Sequence, residues 1–223
     1  MKVILFGATG MVGQGVLREC LAAPDVEAVL AIGRSRTTTQ HARLRELVHT
    51  DFTSFASIEG ELAGYDACFF CLGVSSAGMS EADYTRVTFD FTLAAAQVLA
   101  RLNPGLTFIY VSGTGTDSSE RGRTMWARVK GRTENALLKL PFKAAYMFRP
   151  GLIQPGPGIV SKTRLYRAFY ALSGPIFPVL KALAPKLVTT TEIVGQAMLQ
   201  AARSGAPKTF LENSDINQLL GSK

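Results

Sequence analysis

Gly7, Gly10 and Gly13 stand at the spacing that lets a chain turn tightly and bring its backbone close to a phosphate, in the run Gly7-Ala8-Thr9-Gly10-Met11-Val12-Gly13. Glycine at these positions also seats the following helix against its strand, and the helix N-terminus offers unpaired N–H groups to an anion. The apolar run Val3-Ile4-Leu5-Phe6 before the turn and Val16-Leu17-Arg18-Glu19-Cys20-Leu21 after it supply the strand and helix that such a turn requires. The chemistry implied is dinucleotide binding, with Thr9, Met11 and Val12 between the glycines as further cofactor contacts. A purely steric glycine turn is the competing reading.

A second cluster, Gly33-Arg34-Ser35-Arg36, follows the next apolar run. In dinucleotide folds an acidic residue at this place, about twenty residues past the glycine turn, binds a free ribose hydroxyl, whereas arginine accommodates a 2′-phosphate. No Asp or Glu stands here. Arg34 and Arg36 are charged donors and Ser35 is a neutral one, so the expected cofactor is NADP(H) in preference to NAD(H).

These residues need a frame. Apolar runs at 2–6, 26–32, 46–49, 66–71, 106–111 and 144–148 read as strands of a mostly parallel sheet, with helices expected near 11–22, 39–45, 80–101 and 124–139 and a short helical piece around 55–63. Ser80 with Asp83 forms a capping pair for the long helix, and Asn103-Pro104-Gly105 ends it. The fold class expected is α/β, a doubly wound sheet of Rossmann type. After Pro150 the pattern changes: glycines and prolines break the chain, and an apolar, aromatic stretch follows. Residues 152–187 are therefore expected to form a small substrate-side lobe or lid on a single domain spanning 1–223. A core helix, a pocket wall or an oligomer contact all fit that stretch. A helix near 190–203 and a short strand and turn within 207–220 close the fold.

At 223 residues, 47% hydrophobic and 18% charged, the chain can bury one sizeable core. The short N-terminal apolar run, interrupted by glycines, fits neither a signal peptide nor a membrane span, and a cytoplasmic location is the default expectation. Cys20, Cys68 and Cys71 have neither the spacing nor the partners of a metal site, so no metal is expected. The net charge of +7 is dispersed, without the aromatic interleaving of a nucleic-acid surface, and no nucleic acid is expected as a partner. A small-molecule substrate is expected, while a homo-oligomer or a protein partner stays open. The densest basic segment, Arg121, Arg123, Arg128, Lys130 and Arg132, reads either as a solvated helix face or as a contact for phosphate or an acidic substrate.

The layout resembles the short-chain dehydrogenase/reductase superfamily, in its atypical, epimerase-like branch that includes the Tat-interacting-protein-like oxidoreductases. The resemblance spans roughly residues 2–203 and rests on the glycine turn, Gly33-Arg34-Ser35, Asp51-Phe52, Cys71-Leu72-Gly73, Val111-Ser112-Gly113-Thr114, Val129-Lys130-Gly131 and Arg149-Pro150-Gly151. It implies that Asp51 and Phe52 flank the adenine, that Leu72 and Gly73 pass beneath the cofactor, and that Pro150 and Gly151 meet its nicotinamide end. It further implies a catalytic set of a Ser or Thr, a Tyr and a Lys four residues later. Lys130 matches the lysine, and Ser112 and Thr114 are the hydroxyl candidates. The tyrosine position holds Trp126, whose indole has no accessible acid–base pKa. Two functions follow: an NADP(H)-dependent oxidoreductase or epimerase-like enzyme on a small carbonyl or sugar-like substrate, or a non-catalytic NADP(H)-binding redox sensor or interaction protein. Tyr166 and Tyr170, one helical turn apart in the expected lid, are the alternative phenols.

Overall fold

In chain order the strands are β1 Lys2–Phe6, β2 Ala28–Gly33, β3 Leu44–Val48, β4 Ala67–Phe70, β5 Thr107–Val111, β6 Ala144–Arg149, β7 Leu152–Gln154, β8 Val188–Thr190 and β9 Phe210–Glu212. The helices are α1 Met11–Ala22, α2 Glu81–Thr85, α3 Phe91–Leu102, α4 Met125–Leu137, α5 Thr191–Ser204 and α6 Asn213–Gln218. A 3-10 turn covers Ala56–Glu61, and a π-helical turn, Arg86–Asp90, joins α2 to α3. The computed structural model describes residues 1–159 and 187–221. Tyr166, Tyr170 and most of the expected lobe lie outside the described residues.

Seven strands form one sheet in the order β3-β2-β1-β4-β5-β6-β9, all parallel. The chain winds outward one way from β1 and the other way from β4, so the crossovers leave a crevice where the order reverses, at the strands' carboxyl ends. Buried on both faces, the central strands are continuous apolar runs: Val3 to Phe6 and Ala67 to Phe70 are sealed from solvent. One face packs under α1 and α5 through Val16, Leu17, Cys20, Val194 and Met198. The other packs under α3 through Ala95, Ala96 and Leu99, together with Phe6, Phe52, Phe55 and Phe70. Ser80 caps α2 as expected, its Oγ accepting from the Asp83 N–H at 3.1 Å.

Two expectations need correction. Residues 39–45 are not helical: the chain turns there and enters β3 at Leu44, which pairs in register with Val29 of β2. Arg43 decides this locally, since its guanidinium donates to the Ala23 carbonyl at 2.7 Å and also to those of Leu21 and Val26, satisfying acceptors at the C-terminal end of α1. A separate two-stranded parallel sheet was also not foreseen. β7 pairs with β8, Leu152 opposite Val188, so the segment expected as a lobe leaves and re-enters the fold at one place.

Helix α4 lies unusually close to the loop after β5. A Cβ on Gly131 would stand 1.8 Å from the Asp117 carbonyl oxygen, so only glycine allows this approach. Gly131→Ala is expected to destabilise the fold by about 2 kcal/mol or more, the scale of overpacking in a filled interior. Urea unfolding measures it, and a variant as stable as the parent would show that α4 can move off the loop freely.

Candidate functional site

A cavity of about 620 Å³ opens at the crevice and brings together the carboxyl ends of β1, β2, β4, β5 and β6. The glycine turn forms its floor through Gly7, Thr9, Gly10, Met11 and Val12, and Arg34 and Ser35 stand at one end. Leu72 and Gly73 follow β4, and Ser112, Lys130, Pro150 and Gly151 gather at the other end. Val74, Ser75, Leu152 and Ile153 also line it and went unnoticed as site residues in the sequence. Only their position beyond a strand's carboxyl end would have flagged them.

The floor suits an anion. Gly10 gives α1 no side-chain cap, and no acidic residue stands in the first turn, so the leading amides remain available to phosphate oxygens. Gly13 takes the helix-seating part of the expectation. It does not line the cavity but lets α1 press onto the turn, since a Cβ there would lie 2.1 Å from the Gly7 carbonyl oxygen. Arg34 and Ser35 are exposed, and among the described residues neither the Arg34 nor the Arg36 guanidinium is held in an ion pair. Arg36 turns away from this cavity and lines a neighbouring one of about 730 Å³, with Arg18 and Thr37.

Three further expected residues lie outside the cavity wall. Phe52 is 2% exposed and packs edge-on against Phe6 and Phe55, a core anchor and not an adenine platform. Asp51 is exposed and accepts from the Thr53 N–H at 3.0 Å, an Asx turn that, with the Thr53 hydroxyl also bonded to it, holds its carboxyl below the usual range. Thr114 is exposed as well, because the chain turns at Gly113 and sends the Thr114 hydroxyl to the Arg149 carbonyl at 3.0 Å. His49 is structural: its Nε2 lies 2.8 Å from the Ser54 carbonyl oxygen, against Phe55.

At the far end the chemistry is built on α4. Lys130 Nζ donates to the Val111 carbonyl at 3.4 Å and lies 5.6 Å from the Tyr110 ring centroid. Burial of the ammonium lowers its pKa to about 8, against a smaller opposite pull from Glu134 one turn along the helix. Glu134 is fully buried and absent from the sequence expectations. Its Oε1 accepts from Ser112 Oγ at 2.6 Å and from Arg149 Nε at 3.0 Å. Arg149 also donates to Glu212 at 3.1 Å, and the paired carboxylates hold its guanidinium pKa above the usual value. The single Ser112 proton thus has its acceptors, Glu134 and the Phe148 carbonyl at 3.2 Å, inside the protein. The remaining arginines of the basic segment are accounted for without a ligand where they make contacts: Arg128 pairs with Glu81, and Arg132 covers the Phe89 ring.

A family profile described as NAD(P)H-binding matches residues 7–139, from the glycine turn to just past α4. The chain belongs to this NAD(P)H-binding family of atypical short-chain dehydrogenase/reductases. Within the family, it is 27% identical to the mitochondrial protein fmp52 of Emericella nidulans over 97% of each chain. It is also 26% identical to protein HTATIP2 of Rattus norvegicus over 84% of this chain and 81% of that one. The fold matches the Bordetella bronchiseptica enzyme WbmF, solved in complex with NAD+, with a TM-score of 0.70 at 16% identity, covering 97% of this chain and 76% of that one. The place where the resemblance implies a tyrosine, four residues before Lys130, holds Trp126. Trp126 does not line the cavity; the edge of its ring sits by Gly115, where an added Cβ would be 3.4 Å away. Among the described residues no helix is long and apolar enough to cross a membrane, and no group of His, Cys, Asp or Glu could hold a metal ion.

Removing one partner of a buried ion pair leaves the other charged and unmatched, at a cost of roughly 3–5 kcal/mol. Arg149→Met is therefore expected to destabilise the fold by about 3 kcal/mol, read as a lower urea midpoint. A loss under about 0.5 kcal/mol would show that Glu134 does not depend on Arg149.

Proposed function

We propose that this family member binds NADP(H) and acts as an oxidoreductase or epimerase-like enzyme on a small carbonyl or sugar-like substrate. One observation carries the reading: a single cavity joins Arg34 and Ser35, the open α1 N-terminus, and the Lys130 end. The residues present fit a dinucleotide. The first-turn amides of α1 would hold the pyrophosphate, Arg34 and Ser35 the 2′-phosphate, Leu72 and Gly73 the underside, and Pro150 and Gly151 the nicotinamide end. When bound, the cofactor supplies or accepts a hydride. The chain's part is to orient the substrate beside Lys130 and to move a proton at its oxygen. The NAD+ seen in WbmF belongs to that protein; the preference for NADP(H) here rests on Arg34 and on the absence of an acidic residue among the described residues of the cavity wall. The cytoplasmic expectation rests on the sequence alone, while the fungal relative is named a mitochondrial protein.

A second reading, a non-catalytic NADP(H) sensor or interaction protein, is favoured by Trp126 and by the inward-facing Ser112 proton. On that reading the wild type oxidises no NADPH with carbonyl probes, and reductase turnover appears only on Trp126→Tyr.

The lone tryptophan, Trp126, makes binding measurable by fluorescence. NADPH should bind at least about tenfold more tightly than NADH, and Arg34→Ala should weaken NADPH by roughly 10- to 100-fold, the worth of a charged hydrogen bond, with NADH nearly unchanged. Equal affinity for the two cofactors, or no loss in the variant, would refute the assignment of the 2′-phosphate to Arg34.

A further inference from the structure

A reductase lacking the motif tyrosine needs another proton source, and the far end of the cavity offers few. Among the described residues lining it beyond the glycine turn and the Arg34 end, Cys71, Ser75, Ser112 and Lys130 carry side chains with a transferable proton. Ser75 is exposed on the loop after β4, where its Oγ accepts from the Ala77 N–H, and as an ordinary alcohol it is too weak an acid to protonate an alkoxide efficiently near neutral pH. The Ser112 proton is committed to Glu134. Burial pushes the Cys71 thiol well up, so it yields a proton reluctantly. Thr114 lies outside the wall, with its hydroxyl donated to Arg149. Tyr84 and Tyr110 are sealed in the core, at 2% and 1% exposure. We infer that Lys130 is itself the acid–base residue of this site, exchanging an ammonium proton with the oxygen of a carbonyl substrate. The inference rests on the oxidoreductase reading above and deepens it.

The step balances as follows. The carbonyl carbon gains a C–H bond from the dihydronicotinamide hydride, the C=O π pair becomes an alkoxide lone pair, and that pair takes the proton as the Lys130 N–H bond breaks. The carbonyl is reduced to an alcohol, the nicotinamide is oxidised, and the neutral Lys130 amine regains a proton from water at the cavity mouth.

The surroundings suit the role. Glu134 on the same helix is the nearby anion, but Arg149 from β6 pairs with it and offsets its charge. From the packed elements, β5 contributes Tyr110 and the residue after β4 is Cys71, both pushed up by burial and so held protonated, and α2 contributes the buried Tyr84. Little full charge therefore opposes the effect of burial, and Lys130 titrates near pH 8 instead of the ordinary 10.5. An acid poised near the working pH exchanges protons most effectively in both directions.

Two measurements test this. The first is competitive acetylation of the cofactor-free protein across pH, with the Lys130 peptide followed by mass spectrometry. Lys130 should react as an amine half-protonated near pH 8, well before the surface lysines. The second compares NADPH oxidation by the wild type and Lys130→Arg with 4-nitrobenzaldehyde and 9,10-phenanthrenequinone. Arginine keeps the positive charge but does not release its proton, so kcat should fall by about 100-fold or more while NADPH affinity stays within about threefold. Wild-type reduction needs the protonated amine, so its rate should fall about tenfold per pH unit above roughly pH 8. Turnover that survives Lys130→Arg, or a Lys130 amine that titrates with the surface lysines, overturns the proton-transfer role and leaves the oxidoreductase reading standing. A wild type without turnover on either probe overturns that reading and the role with it. Should the variant fail to fold, the titration of the unaltered protein decides alone.

Discussion

A carboxylate cut off from water, Glu134, must be matched by a cation and by donors, and the cavity end is arranged around that requirement. Arg149, 12% exposed, supplies the charge and Ser112 a further donor, while Glu212 accepts from the same guanidinium. Through these side chains α4 is tied to the carboxyl ends of β5, β6 and β9. Lys130 lies on α4 one turn before Glu134, so the network fixes where its ammonium sits. Such a cluster specifies a unique arrangement more than it adds stability, because desolvating each charge offsets most of the attraction. Its consequence for chemistry is direct: the hydroxyl that would have oriented a substrate is turned inward, and the lysine is left facing the cavity.

The other end of the cavity depends on backbone and not on side chains. The parallel sheet reverses its winding between β1 and β4, which opens a crevice at one edge. Gly13 lets α1 start close enough to β1 for its first amides to face that crevice. The two ends thus differ physically, open helix amides at one and a buried polar network at the other, but share one parallel frame.

Much of this was legible in the residues. The strands β1, β2, β4, β5 and β6 show as continuous apolar runs because both faces are covered, and α1 shows through its glycine turn. Several expected residues that line the cavity, such as Arg34, Gly73 and Pro150, sit just beyond a strand's carboxyl end, which chain order alone reveals, while Lys130 is carried there on α4. What could not be read depends on contacts distant in sequence. Arg43 reaches back to the end of α1 and makes β3 begin at Leu44, against the local helical pattern. Glu134 resembles any polar residue of an amphipathic helix until Arg149 arrives beside it, and Phe52 joins the core only because Phe6 and Phe55 converge on it. The β7–β8 pair unites segments more than thirty residues apart, and strands of three residues carry too little pattern to be recognised.

The central claim is that one dinucleotide occupies the cavity from Arg34 to Lys130. A crystal structure grown with NADP+ tests it most directly. The account predicts the pyrophosphate at the N-terminus of α1, the 2′-phosphate within hydrogen-bond distance of Arg34, and the nicotinamide above Leu72 and Gly73 beside Lys130. A dinucleotide seated in the neighbouring cavity with Arg18 and Arg36, or one whose 2′-phosphate avoids Arg34, would contradict it.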